Sequence, residues 1–452
     1  MKLFDDAETN RRFSRMQWRM LFATMIGYTL FYFMRKNFSF AMPGLQQDCG
    51  ISKSMLGNFL FWGGIVYGLS KFVNGIVGDK VNPKKMFCFG LAVCVLINVA
   101  FGFAPQIAGT STSALAWTFG LLLVLNQFFQ GTGFLPCAKL IAFWVPPKEL
   151  ATKMSMWNTS HSIGGGLVAK ICGVIMGLGA VGAANQGVGM WRWCFWSMAI
   201  LGALGLLLML FWLPGTPKDE GLPDLPGTET PPHTNSSTPT LTTHNSKLTT
   251  HNSSLHMVFL NPVIWMLGLI NFTINAVRAL VADWGPTMLQ ESKGFDPSGT
   301  GTVIMLFEFA GIAGMLFAGW ATDRFFGGRA PRLCVFLMAL TAALFAAFWF
   351  LPAGLTGAAA LCLGGFCLYG PQALTGVTAT NLATKRFAGT AIGFVSLFSY
   401  LGVSVAGKVC GNLAQSSGGW RLPVLVMVAV ASVGAALFAC LWRTRAHAYG
   451  EE

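Results

Sequence analysis

The sequence predicts an all-α membrane protein whose twelve transmembrane helices form two six-helix halves related by pseudo-symmetry. Of the 452 residues, 54% are hydrophobic and only 10% are charged, and the mean hydropathy is +0.57, a composition typical of chains with many membrane spans. Two features recur about half a chain apart. Arg35 and Arg278, each inside an apolar run, are 278 − 35 = 243 residues apart, and Asp79 in a glycine-containing loop is repeated as Asp323, where 323 − 79 = 244. We therefore expect a duplicated unit.

Twelve apolar stretches are long enough, at about 18 residues or more, to cross a bilayer as helices. The predicted spans are residues 18–43, 54–78, 86–105, 113–143, 151–182, 191–213, 259–290, 299–322, 332–353, 356–383, 386–414 and 420–442. Six lie before and six after the polar segment 214–258. The expected units are an N-terminal half at 1–213, a linker at 214–258 and a C-terminal half at 259–452 that ends in a short cytoplasmic tail.

The distribution of basic residues predicts the orientation, because cytoplasmic loops of membrane proteins carry the excess of Lys and Arg. With a cytoplasmic N-terminus, 19 of the 30 basic residues face the cytoplasm and 4 face the other side. The net charge of +13 is thus an orientation signal, and nucleic-acid binding is a poor explanation of it. We expect a multi-pass inner-membrane protein with both termini cytoplasmic. No removable signal peptide is expected, since no small-residue cleavage site follows the first apolar run.

Residues 214–258 are expected to form a disordered cytoplasmic linker, because they are rich in Pro, Ser, Thr and Asn and contain the near-repeat LTTHNSKLTTHNSS. His244, His251 and His256 lie there at spacings that could suit a metal, but a solvated low-complexity tether explains them better. The 11 cysteines occur singly, without the paired spacing of metal ligands, and are expected to pack as small apolar residues. The sequence predicts neither a metal nor a cofactor.

Seven basic residues remain inside the predicted spans: Arg35, Lys36, Lys71, Lys139, Lys170, Arg278 and Lys408. A charge at bilayer depth costs roughly 3 kcal/mol or more, so each is a functional-site hypothesis by default. Arg35 and Arg278 lie on the first helix of each half, which places both beside the central pseudo-two-fold axis. The planar guanidinium offers two parallel N–H donors to two phosphate oxygens. We therefore expect both arginines to bind one anion between the halves.

For other polar residues in the spans, a structural role and a role in the site are the two alternatives. Lys36 lies near the outer end of its helix, where snorkelling to the interface is expected. Lys71 follows Tyr67 by one helical turn and is either a third cation facing the cavity or a structural partner of Asp79. His161 is the one histidine within a predicted span. It is either a cavity-lining donor that titrates near neutrality, which we prefer, or a packed core histidine.

Glu308 is an acid well within a predicted span, and we expect it to pair with a buried cation, either Arg278 or Lys408. Three cavity cations and this one anion would leave about two positive charges, which match a phosphomonoester or the HPO4 dianion. Lys170 and Lys408 are again symmetric, since 408 − 170 = 238. Both lie toward the outer ends of their helices, where outer-vestibule snorkelling and substrate contact remain alternatives.

Seven ordered motifs are distributed along the chain, namely YFMRKNFSFAMP (32–43), YGLSKF (67–72), FFQGTGFLPCAK (128–139), WNTSHSIGGG (157–166), VRALVADW (277–284), LYGPQAL (368–374) and AGTAIGFVSLFSYLG (388–402). Together they resemble the organophosphate:phosphate antiporter family of the major facilitator superfamily. The resemblance covers nearly the whole chain outside the linker. It implies the major facilitator fold, in which two six-helix halves hold the site near the membrane midplane.

The resemblance also implies a site and a function. Arg35 and Arg278 match the family's phosphate-binding arginines, Lys71 and His161 match additional site residues, and the expected cavity neighbours are Tyr32, Tyr67 and Tyr369. The family exchanges organophosphates for inorganic phosphate and includes glycerol-3-phosphate and hexose-6-phosphate transporters and a membrane sensor of hexose phosphate. The implied partners are a sugar phosphate, inorganic phosphate and the bilayer, and a monomer is expected.

The substrate preference rests on small differences. Hexose-phosphate transporters of the family can carry an Asp and a Lys three residues apart where this chain has Ile392 and Val395, which weakens a strict hexose-phosphate assignment. The sequences DWG (283–285), FEFAG (307–311) and GPQ (370–372) are more similar to the hexose-phosphate and sensor branches, so hexose 6-phosphate is favoured over glycerol 3-phosphate. A non-transporting sensor is the main alternative, and a proton-coupled transporter of neutral sugar is disfavoured. No nucleotide loop or nucleophile–base pair suggests an enzyme.

Overall fold

The computed structural model describes residues 6–109, 111–181, 189–225, 261–382 and 388–443, and within these ranges all regular structure is helical. The first half contains α1 (Ala7–Cys49), α2 (Lys53–Lys80), α3 (Pro83–Gly102), α4 (Ala104–Ala108), α5 (Thr112–Trp144), α6 (Pro147–Val181) and α7 (Trp191–Trp212). The second half contains α8 (Pro262–Ala282), α9 (Gly285–Lys293), α10 (Pro297–Phe325), α11 (Ala330–Phe350), α12 (Leu355–Leu382), α13 (Ala388–Ser416) and α14 (Arg421–Cys440). Helices α4 and α9 are short, so each half has six long helices.

Polar residues cap helices where the chain enters the bundle. Asp6 accepts hydrogen bonds from the Thr9 hydroxyl and from the backbone N–H groups of Thr9 and Glu8, and these bonds hold the pKa of the Asp6 carboxyl below its ordinary value. Asn261 and Asp296 cap α8 and α10, and a proline follows each cap. A proline at the first helical position loses no helical hydrogen bond. These helix starts therefore follow from local sequence.

Eleven of the described helices are long and apolar enough to cross a membrane, and α1 is the twelfth long helix. It is less apolar because its 43 residues include Arg35, Lys36 and four arginines near its N-terminus. The predicted seventh span, 259–290, is not continuous. It breaks at Asp283 and Trp284 between α8 and α9, because Pro286 lacks the N–H that would continue the helix.

Residues 214–225, the first part of the predicted disordered linker, are ordered in the structure. A 3₁₀ turn forms at Lys218–Glu220, and Leu222 and Leu225 are buried. The Trp144 indole donates to the Gly215 carbonyl at 2.7 Å. The segment 214–225 is therefore packed under the first half, because its leucines find an apolar surface there, while residues 226–258 and the three histidines within them lie outside the described residues.

The two halves touch at one end of the bundle, which we call the distal end, where α1 finishes and α2 begins. Helix α2 crosses α13, and α6 crosses α10. A Cβ built on Gly411 would lie 3.1 Å from the Gly57 Cα, and one built on Gly173 would lie 2.9 Å from the Gly301 Cα. The offsets 301 − 57 = 244 and 411 − 173 = 238 are those found in the sequence, so the two crossings are related by the pseudo-symmetry.

The opposite end, which we call the proximal end, is more open between the helices. A Cβ built on Gly376 in the last turns of α12, or on Gly393 near the start of α13, would meet no atom of the described residues within 4 Å. Gly376 and Ile392 also belong to the wall of the central cavity. The bundle is thus closed by backbone contact at the distal end, and its cavity reaches toward the proximal end.

Candidate anion site between the two halves

A cavity of about 310 Å³ lies between the halves, near the middle of the long helices. Both halves contribute basic side chains to its wall: Arg35, Lys36 and Lys71 from the first, and Arg278 from the second. Other polar residues complete the wall, namely Tyr28, Tyr32, Ser39, Tyr67, Gln127, Asn158, His161, Asn271, Asn275, Asp283, Gln372, Ser396, Ser399 and Tyr400. This volume and lining suit a small, charged and polar molecule.

Arg278 is held in a buried hydrogen-bonded triad. Its Nε donates to the Tyr369 hydroxyl at 2.6 Å, and its Nη2 lies 3.2 Å from Glu308 Oε1. The Tyr369 hydroxyl in turn donates to Glu308 Oε2 at 2.6 Å. Gly311 makes room for the tyrosine, since a Cβ there would lie 2.6 Å from the Tyr369 ring. The guanidinium is therefore oriented by neighbours that stand behind it, away from the cavity.

Arg35 has a different environment. Its guanidinium lies 4.7 Å from the ring centre of Tyr32 and 4.5 Å from that of Tyr67. Within the described residues it has no ion pair, whereas Arg278, its symmetric counterpart, has Glu308. Tyrosine faces stabilise a cation without neutralising it. Arg35 thus keeps a full positive charge that a ligand could neutralise.

Lys71 is surrounded by aromatic rings. It donates a hydrogen bond to the Tyr400 hydroxyl of α13, and its ammonium lies 5.1 Å from the ring centre of Tyr67 and 4.4 Å from that of Phe134. The contact with Tyr400 joins α2 to the second half. Lys71 therefore faces the cavity, as one of its two interpretations proposed. The Asp79 side chain lies outside the described ones.

His161 also lies on the cavity wall. Its Nδ1 hydrogen-bonds to the carbonyl of Asn158, one turn earlier in α6. With Nδ1–H as the donor, Nε2 is the ring nitrogen left for a cavity ligand. The imidazole also contacts Tyr32, with ring centres 5.9 Å apart. The position favours the cavity-lining interpretation over a packed core residue.

The expectation that Lys36 snorkels to the interface is wrong. Its ammonium lies 2.5 Å from Asp283 Oδ1, and the two side chains are only 14% and 7% exposed. Asp283 occupies the break between α8 and α9, so the pair joins the two halves directly. A charged group with little access to water is stabilised by an opposite charge rather than by the distant interface.

Comparison with known proteins agrees with the motifs. The Major Facilitator Superfamily matches residues 24–407. The chain is 32% identical to the glycerol-3-phosphate transporter of Bacillus subtilis, over 97% of this chain and 95% of that protein. It is also 32% identical to a probable hexose phosphate transport protein of Chlamydia pneumoniae, over 98% and 95%, and 33% identical to the membrane sensor protein UhpC of Escherichia coli, over 89% and 87%.

The chain belongs to the organophosphate:phosphate antiporter family of the major facilitator superfamily. The crystal structure of a D-xylose-proton symporter superposes on this family member with a TM-score of 0.73, over 93% of this chain and 97% of that one, at 13% sequence identity. The likeness confirms the predicted fold of two six-helix halves. The protein is thus a multi-pass membrane protein.

The structure brings most of the predicted site residues of this antiporter-family protein together. Six of them line one cavity: Tyr32, Arg35, Tyr67, Lys71, His161 and Arg278. The other two, Glu308 and Tyr369, contact Arg278 from behind. Of the two partners considered for Glu308, the structure has Arg278. Lys170 donates to Thr302 at 2.8 Å and Lys408 lies 5.2 Å from the Phe61 ring centre, so both belong to helix contacts near the distal end and not to the cavity wall.

Two candidate site residues of this family member, Tyr400 and Asp283, were not predicted from the sequence. Tyrosine is scarce here, with six in the chain, and five of them gather at the site: Tyr28, Tyr32, Tyr67, Tyr369 and Tyr400. That scarcity in apolar helices was a usable signal for Tyr400. Asp283 lies 247 residues from Lys36, and no local pattern links the two.

The charges around the cavity sum to the value expected of a dianion site. Four basic side chains, Arg35, Lys36, Lys71 and Arg278, face two acids, Asp283 and Glu308, which gives 4 − 2 = +2. The sequence predicted the same total from three cations and one anion, without the Lys36–Asp283 pair. Because that pair is neutral as a unit, it leaves the total unchanged.

Proposed function

We propose that this protein exchanges a sugar phosphate for inorganic phosphate across the inner membrane by alternating access. Hexose 6-phosphate is the favoured organic substrate and glycerol 3-phosphate the next. The observation that carries the proposal is Arg35, a cation without an acidic partner in the described chain, which shares one cavity with its symmetric counterpart Arg278. The family, and relatives named as glycerol-3-phosphate and hexose phosphate transport proteins, support it.

The phosphate group would bind between the two arginines. Arg278 is already oriented by Glu308 and Tyr369, and Arg35 brings an uncompensated charge from the other half. Guanidinium groups bind phosphate through paired N–H donors, and these charge-assisted bonds are about twice as strong as neutral ones. Lys71 lines the same cavity and adds a further donor to the phosphate oxygens. His161 lies on the same wall with its Nδ1 engaged by the Asn158 carbonyl, so its Nε2 is an acceptor that could take a proton from a ligand hydroxyl or from a protonated phosphate oxygen.

The transport step would be a rocking of one half against the other. For the distal end to open, the backbone crossings at Gly57 and Gly301 and the Lys36–Asp283 pair must separate, while the proximal ends close around the cavity. Closure removes water and raises the repulsion between the two excess positive charges. A bound dianion cancels these charges, so the loaded protein would change between its outward-open and inward-open conformations and the unloaded one would not. This barrier would make the exchange obligatory.

The orientation proposed from the basic residues places both termini in the cytoplasm. The proximal end, where α1 begins, would then face the cytoplasm, and the described conformation would be closed toward the outside. One chain contributes both arginines and every side chain of the cavity wall. We therefore propose that a monomer transports, with residues 226–258 as a cytoplasmic connection between the halves.

A second candidate is a membrane sensor that binds hexose phosphate without transporting it. The similarity to the sensor protein UhpC favours it, and the arginine pair would serve either function. Proton-coupled transport of a neutral sugar is less consistent with the cavity, because Glu308 is engaged by Arg278 and Tyr369.

Exchange in proteoliposomes tests the proposal. Vesicles loaded with unlabelled phosphate receive labelled phosphate outside, and glucose 6-phosphate, glycerol 3-phosphate or glucose is added as competitor. We expect rapid uptake that depends on internal phosphate and is inhibited by a phosphate ester but not by glucose. Absence of exchange by a purified protein that still binds glucose 6-phosphate would support the sensor instead. Loss of both in Arg35→Lys would link either activity to the site.

A further inference from the structure

Each half of the chain contributes one glutamine to the cavity wall. Gln127 lies on α5 and Gln372 on α12, the fourth long helix of each half, and both line the cavity. Their separation, 372 − 127 = 245 residues, is close to the offset of 243 between the two arginines. A glutamine thus faces the cavity from the fourth long helix of each half.

Both glutamines carry an amide oxygen that lacks a hydrogen bond. The Oε1 atoms of Gln127 and Gln372 are buried and have no partner within the described residues. Among the cavity-lining side chains of the described chain, these two alone show this feature. An unpaired buried acceptor is unfavourable, and such groups in native proteins need an explanation. The terminal amide of a glutamine can rotate, because its last side-chain torsion has a broad distribution. The Cγ of Gln127, by contrast, packs against Gly63.

The chemistry of an unpaired carbonyl oxygen restricts what could satisfy it. It needs a hydrogen-bond donor. A phosphomonoester dianion and a carboxylate offer only acceptors, the HPO4 dianion has a single O–H that could reach one glutamine but not both, and an ammonium group would be repelled by the two excess positive charges of the cavity. Among the groups of a sugar phosphate, the neutral hydroxyls are the donors that remain, and two of them are needed to reach both halves.

We propose that Gln127 and Gln372 bind hydroxyl groups in the organic part of the substrate, one from each half, while the arginines hold the phosphate. This inference rests on the proposed function and makes it more specific. The substrate class is a phosphate ester with at least two free hydroxyl groups, such as a hexose 6-phosphate. A phosphate ester without hydroxyl groups would bind through its phosphate alone.

Selectivity measurements test the inference. Labelled phosphate exchange in proteoliposomes is inhibited with glucose 6-phosphate or with ethyl phosphate, which has no hydroxyl group, in the wild type and in Gln127→Met, Gln372→Met and the double variant. Methionine keeps the volume and removes the amide. We expect the half-inhibitory concentration of glucose 6-phosphate, relative to that of ethyl phosphate, to rise about three- to tenfold for each substitution, the loss of one neutral hydrogen bond.

The controls separate this inference from the proposed function. Gln47→Met, at an exposed glutamine outside the cavity wall, should leave the ratio unchanged. Gln127→Asn and Gln372→Asn keep a shortened amide and should give intermediate ratios. An unchanged ratio in the methionine variants, or an equal rise for both inhibitors, would overturn the hydroxyl contact while leaving phosphate exchange in place. Absence of phosphate exchange in the wild type would instead refute the proposed antiport, whatever the glutamines do.

Discussion

Lys36 and Asp283 form an ion pair between the two halves of the molecule, with 2.5 Å between the ammonium and the carboxylate. Lys36 directly follows Arg35 in α1, and Asp283 lies five residues after Arg278. The proposed phosphate ligands and the contact that holds the distal end together are therefore on the same two segments. A ligand that moves the arginines would also move the pair.

Removal of one member of this pair should slow exchange. Asp283→Asn leaves Lys36 without its carboxylate and raises the charge around the cavity from +2 to +3, so we expect at least a tenfold slower phosphate exchange. The double variant Lys36→Met with Asp283→Asn returns the total to +2 and should recover part of the rate. Initial rates in proteoliposomes measure this. Equal defects in the single and double variants would show that the charge balance is not the cause.

The arginines should not tolerate lysine. Arg35→Lys and Arg278→Lys keep the charge but lose the planar pair of donors, and we expect the apparent affinity for phosphate to fall about 10- to 100-fold. Arg421→Lys, at an exposed position at the start of α14, is the matched control and should behave as wild type. Concentration dependence of exchange gives the affinities. Normal affinity in Arg278→Lys would exclude paired binding by that side chain.

Glu308 and Tyr369 should affect phosphate affinity in opposite directions. Glu308→Gln removes a negative charge beside Arg278 and should bind phosphate as tightly as wild type or more so, yet exchange about tenfold more slowly, because a dianion no longer neutralises the cavity. Tyr369→Phe keeps the charge but frees the Arg278 Nε, and should weaken binding about three- to tenfold. Binding isotherms alongside exchange rates distinguish the two. Matching changes in both variants would contradict separate roles.

Closure of the distal end should depend on the glycine crossings. Gly411→Leu places a Cβ 2.6 Å from the Lys53 carbonyl oxygen, and Gly301→Leu places one 2.4 Å from the Ala169 carbonyl oxygen. We expect both variants to bind phosphate but to lose most exchange, since the halves cannot meet. Gly419→Leu, in the turn before α14 where a Cβ would meet no described atom within 4 Å, should exchange normally. A fully active Gly301→Leu variant would show that this backbone contact is dispensable.

Much of the fold and part of the site could be predicted from the sequence. Apolar runs of sufficient length predict the helices, and the recurrence of Arg35 as Arg278 reveals the duplication, because both signals are local or periodic. The helix break after Ala282 was not predicted, because the apolar run continues across the break. Pro286 is the residue in the sequence that indicates this break. The packing of residues 214–225 was missed because a polar composition does not reveal two buried leucines.

The sequence by itself determined that the protein lies in a membrane, how many long helices it has, that its two halves are repeats, and which residues carry charge into the membrane. These properties depend on composition and on spacing along the chain. The tertiary structure alone decided which charges neutralise one another. Arg278 has Glu308, Lys36 has Asp283, and Arg35 has tyrosine neighbours but no acidic partner among the described residues. Electrostatic pairing depends on distances of a few ångströms between side chains, and residues as far apart in the chain as Lys36 and Asp283 acquire such distances only when the two halves pack.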